Sequence, residues 1–122
     1  MNNSIRHPDM NREYYFTEGC HILESWNDPT DPAASIARAR VAPGMTTRWH
    51  ALAGVKERYL IISGQGRAEV GEETAESVTA GDVVIIPPGV RQRIANTGDT
   101  DLMFYAICTP RFTPDCYRDL EV

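Results

Sequence analysis

The residues GMTTRWHALAGVKERYLIISG (44–64) and GDVVIIPPGVRQRIAN (81–96) decide how this chain folds. Gly44, Gly64 and Gly81 permit tight turns, and Pro87-Pro88-Gly89 resets the chain before the segment that follows. Between these breaks lie short runs rich in β-branched and aromatic residues, which suit strands and leave no room for helices of ordinary length. Side chains two apart on a strand share a face. If His50 faces the interior, Arg48 and Leu52 face it too, while Thr47, Trp49 and Ala51 face outward. The same alternation groups Glu57 with Tyr59 and Ile61, and Gln92 with Val90 and Ile94, so polar groups from three strands can converge.

The same punctuation continues on both sides. It predicts strands over 36–42, 46–52, 58–63, 67–70, 83–86, 90–95 and 102–108, with segments 14–16 and 21–26 as further candidates. Residues 27–32, Asn-Asp-Pro-Thr-Asp-Pro, read as a polar loop, and the first ten residues as a mobile start. Thr113-Pro114-Asp115 places a capping residue, a proline and an acid in the order of a helix start, which predicts at most a short C-terminal helix. So many short strands imply an all-β sandwich or closed barrel. The expected organisation is one domain: an N-terminal segment over 1–34, the barrel over 35–110 and a tail over 111–122.

A length of 122 residues with 42% hydrophobic side chains allows one core that needs neither disulfide nor metal to fold. Twelve basic against 17 acidic residues give a net charge of −5, and Lys56 is the one lysine, which argues against a nucleic-acid partner. No apolar run approaches the roughly 20 residues of a membrane helix, so no membrane partner is expected. Residues 1–10 are polar and lend no support to an export leader. Cys20, Cys108 and Cys116 form an odd set without a C-x-x-C pair, which fits reduced thiols and a cytoplasmic location. Nucleophile elbows and phosphate-binding glycine loops are absent from the sequence, and Gly64-Gln65-Gly66 reads as a hairpin turn.

The two opening stretches resemble the motifs of the cupins, which are small antiparallel β-barrels. The family's first motif, G(x)5HxH(x)3,4E(x)6G, is reproduced in spacing by Gly44, His50, Glu57 and Gly64, with Leu52 standing where the second histidine belongs. Its second motif, G(x)5PxG(x)2H(x)3N, is reproduced by Gly81, Pro87, Gly89 and Asn96, with Gln92 in place of the histidine. The resemblance implies a cupin-like jelly-roll barrel of antiparallel strands, commonly a homodimer, with a metal near its centre held by three histidines and a glutamate.

What this chain retains of that ligand set is one imidazole, one carboxylate and one amide oxygen: His50, Glu57 and Gln92. An oxygen-weighted site shifts preference from zinc, copper or nickel toward Mn(II) first and Fe(II) next. A metal-dependent dioxygenase, isomerase or lyase acting on a small oxygen-rich or acidic metabolite is the leading expectation. Arg48 would then clamp a substrate carboxylate, and Tyr59 would donate a proton to the substrate or orient it. Each residue also has a plainer reading: Arg48 in an ion pair, Tyr59 as packing, His50 as a hydrogen-bonded histidine. Two other functions stay open: a non-catalytic metabolite- or metal-sensing module, and a metal-free epimerase-type site with His50 as base beside Tyr59. His21 is a remote candidate ligand, His7 falls in the N-terminal segment, and Arg91 and Arg93 should point outward beside Gln92.

Overall fold

The computed structural model describes residues 4–121. The leader reading of residues 1–10, and the mobility expected there, rest partly on residues 1–3, which lie outside the described residues. The strands are β1 (Tyr14–Phe16), β2 (Cys20–Trp26), β3 (Ser35–Val41), β4 (His50–Leu52), β5 (Lys56–Ser63), β6 (Gln65–Val70), β7 (Glu76–Thr79), β8 (Val83–Ile86), β9 (Gln92–Asn96), β10 (Leu102–Thr109) and β11 (Tyr117–Asp119). They form a six-stranded sheet, β1-β2-β3-β10-β5-β8, facing a five-stranded sheet, β11-β4-β9-β6-β7, with every pairing antiparallel. This is the all-β architecture expected from the turn spacing and the jelly-roll barrel implied by the cupin resemblance.

Strict alternation fills the barrel. Along β10, Leu102, Phe104, Ala106 and Cys108 point inward and are buried, and Glu57, Tyr59 and Ile61 do the same on β5. Phe104, Ile61, Ile86, Ile94, Leu102 and Val41 make the main core, and a smaller cluster of Leu52, Val55, Cys108 and Cys116 closes one end. Gly64 marks a close approach of two backbones: its φ is +90°, and a Cβ there would sit 2.6 Å from the carbonyl oxygen of Asp101.

The predicted strand 46–52 is the main departure. Thr46 bridges Ala95, and Thr47 exchanges hydrogen bonds with Ile94, yet His50 pairs with Gln92, so one extra residue is accommodated between these pairings. That bulge resets the alternation: Thr47 and His50, three apart, are both buried, and Arg48 is carried outward. Ala51 is also buried, beside its cross-strand partner Arg118 on β11. Two strands escaped prediction. β7 is a polar edge strand with only Val78 buried, and β11 is three residues long. The expected C-terminal helix is a single 3-10 turn, Pro114–Cys116, whose Thr113 makes no side-chain cap.

Candidate functional site

The bulge aims His50 at a cavity of about 60 Å³ inside the barrel, lined by aromatic and aliphatic side chains with Glu18, His50 and Glu57 among them. His50 is 2% exposed. Its Nδ1 lies 2.7 Å from the carbonyl oxygen of Arg48, an acceptor, so Nδ1 carries the proton and donates it. Nε2 is thereby left for chemistry, 3.2 Å from Glu18 Oε2. Tyr117 stacks on the imidazole at 5.4 Å between centroids, and Phe16 packs edge-on against Tyr117. Glu18 is held in turn by the Cys20 thiol, which donates to Oε1 over 2.9 Å.

Behind this pair runs a second buried chain. The Tyr59 hydroxyl donates to Gln92 Oε1, and Gln92 Nε2 donates to Glu57 Oε1 over 2.8 Å. The Cys108 thiol lies 3.7 Å from the other oxygen of Glu57. Burial, and secondarily the negative charge of Glu18, push Glu57 up to about 7. Burial also raises the Tyr59 phenol well above its ordinary range and raises Tyr117, so both remain proton donors at neutral pH. The Cys20 and Cys108 thiols are raised by the same cause and stay protonated.

The structure therefore brings together four of the five expected site residues: His50, Glu57, Tyr59 and Gln92. Gln92 differs in role from the expectation, because it does not line the cavity and its amide is engaged at both ends. Arg48 is a correction. Its guanidinium lies on the outside, bonded to Asp119 at 3.1 Å and to the carbonyl oxygen of Glu121 at 3.0 Å, because the bulge breaks the alternation on which its inward placement depended. His21 packs on Tyr15 and does not line the cavity, whereas Arg91 and Arg93 stand outside, flanking Trp49 at 4.3 and 4.4 Å. Glu18 and Tyr117 went unnoticed in the sequence. Glu18 sits in a turn without motif character, and Tyr117 lies in a tail read as helix.

The family described as Cupin domain matches residues 37–108, more than half of the chain. This chain is a cupin. It is 36% identical over 92 residues to an oxalate-binding protein of Thermotoga maritima, covering 74% of this chain and 73% of that protein. Among solved structures it resembles Streptomyces Pac13, a nucleoside dehydratase, with a TM-score of 0.78 and 18% identity over 97% of this chain and 92% of that one. It also resembles the oxalate decarboxylase of Lactobacillus farciminis, with a TM-score of 0.75 and 21% identity over 89% of this chain and 33% of that one. At these identities the structural likenesses show the shared barrel.

Cupins often carry a divalent metal, and the donor set of this cupin departs from the one that such a metal needs. Leu52 presents an alkyl group at one ligand position, and the Gln92 amide at another is bonded to Tyr59 and Glu57 behind the cavity wall. Among the described residues, no group of three or more His, Cys, Asp or Glu converges to hold a metal ion. Of the donors that line the cavity, His50 Nε2 and Glu18 form a pair that closes as an ion pair when the imidazole is protonated, and Glu57 is bonded by Gln92 and Cys108. These residues do not fit the usual cupin metal centre.

Proposed function

We propose that this cupin binds a small oxygen-rich molecule in the barrel cavity and moves a proton on it with His50, as a metal-independent isomerase or lyase. The observation that carries the reading is the placement of His50, with Nδ1 on the Arg48 carbonyl and Nε2 beside Glu18 at the cavity. With Nδ1 committed to the Arg48 carbonyl, Nε2 is a base facing a largely apolar cavity, and Glu18 at 3.2 Å stabilises the imidazolium formed when it takes a proton. Glu57, poised near neutrality, is the second group able to hold or release a proton. The proton leaves a substrate carbon next to a carbonyl and then either returns to a neighbouring atom or departs with a hydroxyl as water. Ligand binding by the oxalate-binding relative supports the use of the cavity for a small molecule.

The test is deuterium uptake from D2O into ligands incubated with chelator-treated protein, across a panel of hydroxy acids, their amides, dicarbonyl compounds and uridine. Uptake with the wild type and its loss in His50→Asn supports the reading. Binding without exchange or turnover anywhere in the panel supports a non-catalytic sensing module instead.

A second reading is kept because His50 and Glu57 retain their motif positions. In it His50, Glu57 and Gln92 hold Mn(II) or Fe(II), which would supply Lewis-acid or oxygen chemistry, and Gln92 must first release Tyr59 and Glu57. Metal analysis separates the two. For assembly we propose a homodimer through the outer face of the six-stranded sheet, where Ile62, Val83 and Ile85 are 45–56% exposed beside Leu60 and Tyr105. A cytoplasmic location accords with three free, buried cysteines.

A further inference from the structure

The charge of the cavity wall narrows the ligand. Among the described residues, Glu18, Glu24 and Glu57 line it, and no lysine or arginine does. Arg48, the cation expected to neutralise a substrate carboxylate, is bound outside by Asp119. His50 is the single cationic candidate in the lining, and Glu18 already faces it. A dicarboxylate entering here meets like charges in a low-dielectric site with no positive partner to spare.

Among the described residues, one buried polar group in the wall lacks a hydrogen-bond partner. The Tyr117 hydroxyl is buried and makes no hydrogen bond, although its ring lines the cavity and stacks on His50. Buried hydroxyls are normally paired, so an unpaired one beside a base marks a place where a ligand oxygen completes the set. Catalytic and binding hydrogen bonds often form fully only once the ligand is in place. Tyr117 comes from β11, beyond the residues that match the family.

We infer that the group entering this cavity is uncharged and carries a hydroxyl or carbonyl oxygen, that the Tyr117 hydroxyl donates to that oxygen, and that carboxylates such as oxalate are rejected. The inference rests on the cavity being the ligand site, as proposed above, and not on the proton transfer. The space available, about 60 Å³, holds the equivalent of about two waters, so a ligand end group of that size is the part selected.

Matched pairs test this: oxalate against oxamide and glycolate against glycolamide, each titrated into chelator-treated protein and followed by thermal shift and calorimetry. The neutral member of each pair should bind at least about tenfold more tightly than the anion. Tyr117→Phe should weaken the neutral ligands by threefold or more while its unliganded melting temperature stays near that of the wild type. Glu18→Gln, which removes one negative charge from the wall, should strengthen binding of oxalate. Tighter binding of the anion in both pairs, or no binding by either neutral compound, overturns the inference. Neutral binding without deuterium exchange leaves it standing and removes the proposed proton transfer alone.

Discussion

His50 Nε2 and Glu18 Oε2 lie 3.2 Å apart at the cavity wall, joining a residue of the family motif to one from a turn outside it. Glu18 is placed there by main-chain contacts as well, since its carbonyl accepts from the Arg48 N–H at 2.7 Å. The turn before β2 and the bulge before β4 are therefore locked to each other.

From that pairing, His50→Asn should reduce proton transfer by about 10²–10⁴-fold, the usual worth of a positioned general base. Glu18→Gln should preserve the position of the imidazole but lose the charge that stabilises its protonated form, for an intermediate loss of about tenfold or more. Exchange rates measured on both variants check the order, and an equal rate in wild type and His50→Asn would remove His50 from the chemistry.

Glu57 makes stability depend on pH in an unusual direction. Its carboxyl is raised from 4.5 to about 7, mainly by burial, so between those values the folded chain keeps a proton that the unfolded chain has released. Stability falls as pH rises through this window and then levels off, with a total contribution of about 3 kcal/mol. Urea midpoints at about pH 5 and about pH 8 should differ accordingly, and Glu57→Gln should flatten that part of the curve.

Gln92 has a structural role that its motif position does not announce. Removing its amide in Gln92→Ala strips a partner from both Tyr59 and Glu57 and leaves a buried void, for a loss of about 2–5 kcal/mol in chemical denaturation. A loss below about 0.5 kcal/mol would mean that the three groups are not coupled.

The outer apolar face makes a separate prediction. Ile85→Lys places a second positive charge beside Arg58, its cross-strand partner, on the face that carries Leu60, Ile62 and Val83, without touching the core, because Ile85 is 56% exposed. In sedimentation velocity the wild type should run as a dimer and the variant as a monomer with an unchanged circular dichroism spectrum.

Much of this was legible in the chain itself. Glycines and prolines at fixed offsets marked the turns, and the two-residue period placed Glu57, Tyr59, Ile61, Gln92 and Ile94 inward correctly. The period failed at 46–52, because an inserted residue leaves no mark in composition and yet reverses the faces on one side of it, turning Thr47 inward and Arg48 outward while His50 and Leu52 stay inward. That failure exiled Arg48 and changed the ligand chemistry. Glu18 and Tyr117 were invisible for another reason. They reach the cavity through long-range pairing of β2 and β11 with the barrel, and no local pattern encodes such contacts.

Metal content reaches the central claim most directly. Protein purified without added metal should contain far less than one Mn or Fe per chain, and titration with Mn(II) should leave its melting temperature unchanged. Stoichiometric Mn or Fe in the wild type, lost in both His50→Ala and Gln92→Ala, would contradict a metal-independent site and restore His50, Glu57 and Gln92 as ligands.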